Sequence, residues 1–275
     1  MYPRPTSTGA IGGRGPVRER LIHYGPHRSQ QVELCLPGGP GPYPVVVLLH
    51  GGIWCRSHDR QVMRPLSLDL AQLGFAVLNA DYRRPGEQEA GWPDAALDAV
   101  SAARLAAGPP GPGEGTLDGR RTALVGHCGG GQLALWAAAW LSAVYGRRPP
   151  REIAVRAVVS LAGITDLGAA ARQAPGGVGR RPPAAARLSS PIELLPLGKQ
   201  TAQLLVHGEL DERVPVGQSV RYGRRAAAAG DTVRVVRSPG ADHLEVVDPR
   251  HPSWGTVIAH LAEHLGHCAD GSARA

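Results

Sequence analysis

The sequence predicts one α/β domain, in which helices cover both faces of a mostly parallel, eight-stranded sheet. Two observations lead to this fold class. Short apolar runs alternate along the chain with longer segments of helical periodicity, which is typical of strand–helix–strand units. Several runs, such as VVVLL at 45–49, are apolar throughout, as expected for strands buried on both faces. With 275 residues, of which 43% are hydrophobic, the chain can bury one sizeable core.

The predicted elements follow in chain order. The strands cover 20–24, 31–36, 44–50, 75–81, 122–127, 157–163, 203–208 and 233–238. The first two strands adjoin without a helix between them, and we therefore expect them to form an antiparallel pair. Helices are predicted to begin near Arg60, Pro93, Gly129, Val216 and Pro252.

The ends of the chain and two internal segments depart from this alternation. We expect residues 1–17 to be a flexible arm, 18–267 to be the domain and 268–275 to be a short tail. Residues 108–119 form a connection rich in proline and glycine, and residues 166–195 make a longer excursion between two strands. Two interpretations of the excursion stand side by side: a cap or lid over an active site, and a mobile surface loop.

Composition and charge argue against several classes of partner. The formal charge is +7, but Lys199 is the only lysine, and the arginines are scattered without interleaved aromatic residues or a reader motif, so we expect no nucleic acid. No apolar run approaches the ~20 residues that span a bilayer, so we expect no membrane partner. The first 20 residues lack the apolar core of a secretory signal, so we expect a cytoplasmic protein whose four cysteines are free thiols.

The stretch GHCGG, at 126–130, ends a predicted strand and opens a predicted helix. A nucleophile elbow has this arrangement, with its central side chain exposed above the sheet on a sharp turn. Gly126 and Gly130 provide the small residues that such a turn needs, because strand and helix pass close together there. The positive end of the helix dipole favours a thiolate at Cys128. The alternative is a buried structural cysteine, the common state of a free cysteine.

An elbow nucleophile needs an acid and a histidine, in the chain order nucleophile, acid, histidine. Asp211 follows the next-to-last predicted strand, and His243 follows the last one. Because catalytic groups of open parallel sheets gather at the carboxyl ends of strands, we expect Cys128, Asp211 and His243 to meet there. Asp166 is the alternative acid, since it follows the strand before.

The stretch HGGIW, at 50–54, directly follows a predicted strand, and its two glycines let the backbone present N–H groups to a developing oxyanion. From this loop we favour the amides of Gly52 and Ile53. The amide of Gly129, directly after the nucleophile, is expected to be the other donor. A plain tight turn is the alternative, and the neighbouring Cys55 is expected to pack in the core.

These motifs resemble those of α/β-hydrolases, in the branch of esterases, arylformamidases and prolyl-oligopeptidase-like enzymes. The matching stretches are HGGIW (50–54), GHCGG (126–130), HGELDERVP (207–215) and ADH (241–243), with DYRRPG (81–86) and GWP (91–93) in addition. The resemblance covers residues 20–265 and implies a Cys128–His243–Asp211 triad. It says little about the substrate, which we expect to contact the excursion and the residues near Trp54, Tyr82 and Trp92.

The sequence departs from that branch at Cys128, where the branch has serine. Dienelactone hydrolases and polyhydroxyalkanoate synthases, which are α/β-hydrolases, resemble this chain in carrying a cysteine at the elbow. A thiolate would form a thioester, which makes acyl transfer or cyclisation competitive with hydrolysis. We expect hydrolysis of a small ester, lactone, amide or thioester. The alternatives are an acyltransferase, cyclase or thioesterase of secondary metabolism, a serine hydrolase with an engineered change to cysteine, and a non-catalytic binding protein.

Nothing in the sequence suggests a cofactor. The last predicted helix carries His260, His264 and His267 at helical spacing beside Cys268, and a solvated helix face is a simpler explanation of this stripe than a metal site. We therefore expect no cofactor and no metal. The expected partner is a small-molecule acyl substrate, free or attached to a carrier, and the chain is expected to be a monomer or a homodimer.

Overall fold

The computed structural model describes residues 16–52, 58–84, 86–87, 92–108, 117–145, 153–173 and 187–266. Its eight strands form one sheet. The strands are β1 (Arg18–His23), β2 (Gln31–Leu36), β3 (Tyr43–Leu49), β4 (Ala76–Ala80), β5 (Leu117–His127), β6 (Val155–Leu161), β7 (Ala202–Gly208) and β8 (Val233–Ser238). The helices are α1 (Arg64–Gln72), α2 (Asp94–Arg104), α3 (Gly129–Tyr145), α4 (Leu167–Gln173), α5 (Gly217–Ala228) and α6 (Pro252–Leu265).

The sheet order is β1-β2-β4-β3-β5-β6-β7-β8. The predicted antiparallel pairing of β1 with β2 is confirmed, and β2 also pairs antiparallel with β4. All other neighbours are parallel. The predicted α/β class, with a mostly parallel eight-stranded sheet, is therefore confirmed.

Side chains of the central strands alternate between two cores, one on each face of the sheet. Along β3, Val45, Val47 and Leu49 belong to the core that packs against α2, α3 and α5. Val46 and Leu48 face the opposite core, which α1 and α6 cover. This period of two in a fully apolar strand explains why VVVLL carries no polar position: both of its faces are buried.

Two predicted loops differ in part from the structure. The connection at 108–119 ends earlier than expected, because β5 already begins at Leu117 and pairs there with Tyr43 of β3. The excursion at 166–195 begins with a short helix, α4, which the sequence did not predict. The predicted arm at 1–17 and the predicted tail at 268–275 lie almost entirely outside the described residues.

Parallel strands bring their carboxyl ends to one edge of the sheet. The register pairs Gly126 of β5 with Ser160 of β6, and Gly208 of β7 with Ser238 of β8. The loops that follow β3, β5, β7 and β8 therefore emerge side by side, although they are far apart in sequence. Among the described residues, no helix is long and apolar enough to cross a membrane.

Candidate active site

Cys128 lies on the tight turn between β5 and α3. Its φ angle is +53°, in the left-handed region that residues with a Cβ seldom adopt. Its amide donates to the carbonyl oxygen of Leu161 in β6 at 2.9 Å, and its carbonyl oxygen accepts from the amide of Gln132 at 3.2 Å. The strand on one side and the helix on the other thus hold an unfavourable backbone conformation in place, a feature that is common at functional sites.

Glycine is required on both sides of this turn. An ideal Cβ on Gly126 would lie 2.0 Å from the carbonyl oxygen of Gly130, and one on Gly130 would lie 2.1 Å from that of Leu49. Strand and helix therefore cross at a distance that leaves no room for a methyl group. The predicted reason for small residues at 126 and 130 is confirmed.

Asp211 and His243 meet above the ends of β7 and β8. The Nδ1–H of His243 donates to Oδ2 of Asp211 at 2.7 Å, and both side chains are buried. The other carboxylate oxygen of Asp211 accepts the backbone amides of Arg213 and Val214, at 2.9 and 2.8 Å. These bonds fix the carboxylate, which in turn fixes the imidazole ring.

The side chain of Cys128 acts on the same imidazole, so the acid and the thiol both influence His243. Burial disfavours the charged form of His243, but the hydrogen bond to Asp211 and the interaction with Cys128 outweigh burial and raise the pKa of His243 to about 9. Burial likewise opposes ionisation of Asp211. Hydrogen bonds from His207, His243 and the amide of Val214 outweigh it and hold the pKa of Asp211 well below its usual range.

The structure thus brings the three sequence-predicted residues together in the order thiol, imidazole, carboxylate. The alternative acid, Asp166, has a different role. Its Oδ1 accepts the amide of Ala169 at 2.8 Å at the start of α4, which makes it a helix cap, and its Oδ2 lies 3.9 Å from the guanidinium of Arg221. Among the described contacts, Asp166 makes none with His243.

Two of the three expected oxyanion donors lie in described parts of the chain. Gly52 has a φ of +129°, which favours glycine. A Cβ atom at this position would lie 2.7 Å from the Cβ atom of His58. Gly129 is the first residue of α3, where backbone amides have no acceptor within the helix. Ile53 lies outside the described residues, as do Trp54 and Cys55.

The loop after β3 is supported from within the core. Tyr82 donates its hydroxyl to the carbonyl oxygen of His50 at 2.7 Å, and their rings stack at 4.4 Å between centroids. Tyr82 is only 1% exposed. We expected Tyr82 to contact substrate, but its burial leaves it no free surface. It is instead a support beneath the loop that carries Gly52.

Trp92, the other expected substrate contact in the described residues, packs edge-on against Trp136 of α3, with ring centroids 5.4 Å apart. It is partly buried against the core on that face of the sheet. Trp136 in turn donates its indole N–H to the carbonyl oxygen of Leu188, in the excursion, at 2.9 Å. Trp92 therefore borders the excursion through Trp136.

The excursion contributes to the surroundings of the thiol. Cys128 forms an apolar cluster with Ile164, Leu167 and Val214, against which Ala170 also packs. Gln132, in the first turn of α3, donates its side-chain amide to the carbonyl oxygen of Ser189 at 2.6 Å. The described part of the excursion is thus attached to the helix that carries the elbow, and the space beside the sulfur is apolar.

Two further histidines lie at the site, one of which the sequence gave little reason to choose. His127 directly precedes Cys128 in the chain. It is buried, and its Nε2–H donates to the backbone carbonyl oxygen of His243 at 2.9 Å. Burial and the charge of His243 lower the pKa of His127 to about 3.

His207 of β7 contacts Asp211, with 3.2 Å between Nε2 and Oδ2. Only its place in the HGELD stretch could have pointed to it.

The histidine stripe on α6 differs from expectation. His260 is 8% exposed rather than solvated, and its ring lies 4.5 Å from that of His264, while His267 and Cys268 lie outside the described residues. A different group of potential metal ligands, Glu19, Glu33 and Cys35, occurs at the β1–β2 edge. Arg64 bridges the two carboxylates of that group at 2.6 and 2.5 Å. The guanidinium of Arg64 therefore already balances their negative charge.

The chain is similar to known proteins in sequence and in fold. The sequence matches the BD-FAE family over residues 34–225, which is more than half of the chain.

Solved structures with similar folds include a truncated carbohydrate esterase from gut microbiota. Its TM-score is 0.75 at 20% identity, over 92% of this chain and 98% of the other. Esterase B from Lactobacillus Rhamnosis (HN001) superposes with a TM-score of 0.74 at 18% identity, over 92% and 86% of the two chains. A thermophilic esterase from Thermogutta terrifontis gives 0.70 at 19% identity, over 93% and 92%. The chain therefore belongs to the BD-FAE family and has the α/β-hydrolase fold.

Proposed function

We propose that this protein is a cysteine-dependent hydrolase that acts by acyl transfer, with Cys128 as nucleophile, His243 as general acid and base, and Asp211 as the orienting acid. The observation that carries the proposal is the strained elbow at Cys128 together with the hydrogen bond of His243 to Asp211, because the thiol acts on the same imidazole that the acid holds. The esterases among the structural neighbours support hydrolysis of an acyl compound. We propose a small ester, lactone, amide or thioester as substrate.

The first half of the reaction forms a thioester. The thiolate of Cys128 attacks the carbonyl carbon, a C–S bond forms, and the carbonyl electron pair moves to the oxygen. Backbone amides at Gly129 and in the loop of Gly52 are suited to hold that oxyanion. When the intermediate collapses, the bond to the leaving group breaks, and the imidazolium of His243 gives its proton to the departing atom.

The second half releases the acid. A water molecule attacks the thioester carbonyl while the now neutral His243 takes one of its protons. The C–S bond breaks, and the thiolate leaves as the carboxylic acid departs. Asp211 stays ionised throughout and stabilises the imidazolium that forms in each half. Its low pKa, which results from the hydrogen bonds it accepts, suits this role.

The apolar cluster around the thiol favours a second candidate, transfer of the acyl group to an amine, alcohol or thiol. Ile164, Leu167 and Val214 surround Cys128 with apolar side chains, which limits the water beside a thioester. An acyltransferase or cyclase of secondary metabolism would use the same thioester, and its substrate could be free or attached to a carrier.

Because both described cysteines are free, we propose that the protein works in a reducing compartment such as the cytoplasm. We also propose that it is a monomer or a homodimer.

Mass spectrometry after brief incubation with aryl esters and activated thioesters tests the nucleophile. We expect a protein heavier by one acyl group, with the adduct mapped to Cys128, and we expect it to be absent in Cys128→Ala. Cys35→Ala is the matched control. Cys35 is buried against Ser67 in the core that α1 and α6 cover, so its replacement should leave the adduct on Cys128 unchanged. Adding an amine or thiol and identifying the products separates transfer from hydrolysis.

Cys128→Ser separates a native thiol enzyme from a serine enzyme that has acquired a cysteine. A site shaped for sulfur should lose most turnover with the shorter oxygen, since a misplacement of about 1 Å can cost ~100-fold in rate. A Cys128→Ser variant that is markedly more active across simple esters would contradict the proposal and assign ordinary serine hydrolysis. An adduct on neither residue would favour a non-catalytic binding protein.

A further inference from the structure

Asp211 has a second histidine partner that the triad does not use. His207 is the next-to-last residue of β7 and is fully buried. Its Nε2 lies 3.2 Å from Oδ2 of Asp211, the same oxygen that accepts from His243 at 2.7 Å. The next residue, Gly208, lets the chain carrying His243 come close, because a Cβ there would lie 2.3 Å from the carbonyl oxygen of Ala241. One carboxylate oxygen therefore lies between two imidazole rings.

The neighbours of His207 determine which of its nitrogens carries the proton. Nε2 is 2.8 Å from the carbonyl oxygen of Val214, and this oxygen can only accept. Nε2 therefore bears a hydrogen, which it donates to Val214, and the same nitrogen lies 3.2 Å from Oδ2 of Asp211. On the other side of the ring, Nδ1 is 2.7 Å from the buried hydroxyl of Ser219 in α5, which can donate to it. Ser219 thus favours the tautomer that places the N–H on the nitrogen facing Val214 and Asp211.

This donor acts on the charge of the acid. Among the interactions that lower the pKa of Asp211 against the effect of burial, the bond from His207 is the largest, ahead of the bond from His243. Without it, the carboxylate would depend on His243 and two backbone amides. The other titratable groups facing this cluster are Cys128 and His127 at the end of β5, Asp242 beside His243, and Arg213 in the loop of Asp211 itself.

We propose that His207, held by Ser219, is a positioning residue that keeps Asp211 ionised and aims its Oδ2 at His243. This inference rests on the proposed function, because it assigns His207 a role in the same thiol–imidazole–carboxylate site. His207 does not touch the reacting atoms. It acts through Asp211, whose charge stabilises the His243 imidazolium that pairs with the thiolate.

The test measures the pH dependence of Cys128 alkylation by iodoacetamide, which needs no substrate. The sign follows from the direction of the Asp211 shift. A carboxylate with a lowered pKa keeps its charge down to acidic pH, and its support of the His243 imidazolium weakens only when the carboxylate is protonated. Removing one donor raises the pKa of Asp211, so the acidic limb of the labelling profile should move to higher pH, by about one pH unit for a lost hydrogen bond to a charged group.

Three variants separate positioning from simple packing. His207→Leu removes the donor at similar volume and should shift the limb. His207→Gln places a side-chain N–H near the position of Nε2, so the acidic limb of its labelling profile should lie at the same pH as in the parent protein. His260→Leu is the matched control, because His260 is also buried but contacts Ala202 at the opposite end of β7. Its labelling limb should not move over the pH range in which circular dichroism shows all variants folded.

Ser219→Ala keeps the test decisive if His207→Leu does not fold, since it removes only the hydroxyl that fixes the tautomer. It should move the limb in the same direction by a smaller amount. A limb that stays in place in every folded variant at His207 and Ser219 overturns the inference, as does an equal shift in His207→Leu and His260→Leu. Absence of turnover and of an acyl adduct, with the limb still shifting, would instead count against the proposed function alone.

Discussion

At the scale of single residues, Cys128 combines features that a purely structural cysteine does not need. It holds a left-handed backbone conformation, and its side chain acts on a histidine whose pKa is raised to about 9 by Asp211 and the thiol in spite of burial. Cys35 provides the contrast within the same chain. It is buried beside Ser67, and burial raises the pKa of its thiol to about 11.

This contrast predicts the reactivity of the two thiols. At pH 6.5 we expect iodoacetamide to alkylate Cys128 at least about ten times faster than Cys35, because the thiolate is the reacting form. His243→Ala should slow the labelling of Cys128 and leave that of Cys35 unchanged. Peptide mapping by mass spectrometry measures both rates in one sample. Equal rates at the two sites would argue against a thiolate–imidazolium pair.

The choice between the two candidate acids is also a residue-scale question. Asp211→Asn keeps the shape of the side chain but upsets the tautomer of His243, and we expect turnover to fall by about 10³–10⁴-fold with the fold retained. Asp166→Asn is the matched change, and it should cost at most about 1 kcal/mol of stability through the cap of α4, with turnover nearly unchanged. The opposite pattern in steady-state kinetics would assign the acid to Asp166.

At the scale of elements, the site depends on the close crossing of β3, β5 and α3. The sequence revealed this crossing because only glycine is tolerated at the contact, and GHCGG carries glycine at both required positions. It did not reveal α4, because LGAAARQ follows a run of loop residues and is too short for a clear helical period. It also gave Tyr82 the wrong surroundings, because a stacking contact with His50 across 32 positions leaves no local pattern.

The crossing predicts a large effect from one methyl group. Gly130→Ala would place a Cβ 2.1 Å from the carbonyl oxygen of Leu49, so the helix must move and the elbow with it. We expect a loss of about 2 kcal/mol or more in the free energy of unfolding and a loss of most activity. Gly255→Ala on α6 is the control, since no atom lies within 4 Å of its Cβ position, and it should stabilise the protein by about 0.5–1 kcal/mol.

Urea unfolding followed by circular dichroism gives the free energy of unfolding for both variants, and alkylation of Cys128 reports on the elbow. If Gly130→Ala retains the stability and the labelling rate of the parent protein, strand and helix do not cross as closely as described.

At the scale of the whole molecule, the fold could be predicted almost completely because its signals are local and repeated. Eight apolar runs and the helical segments between them fix the sheet and both cores. The meeting of Cys128, Asp211 and His243 could be predicted because the ends of parallel strands share one edge of the sheet. His207 could not be assigned a role, since that role depends on three-dimensional contacts with Asp211 and Ser219 that no spacing encodes. His260 was placed in solvent for the same reason.

The buried histidines make the stability of the whole molecule depend on pH. Burial lowers the pKa of His127 to about 3 and that of His260 to about 4, so the folded protein keeps both neutral where the unfolded chain, with pKa values near 6.5, binds protons. The unfolded state therefore gains stability as the pH falls below about 6.5. At the other end, the raised pKa of His243 contributes stability that is complete below about 6.5 and is lost as the pH rises through about 9.

We therefore expect the free energy of unfolding to be largest between these limits and to decline on both sides, as measured by urea unfolding from pH 4 to pH 10. His260→Leu tests the acidic side, because it removes one neutral histidine far from the site. It should reduce the decline between pH 6.5 and pH 4 by on the order of 1–2 kcal/mol. His243→Ala should remove the decline above neutral pH. An acidic slope that is identical in His260→Leu and the parent protein would mean that His260 accepts its proton in the folded state, and that its burial does not limit acid stability.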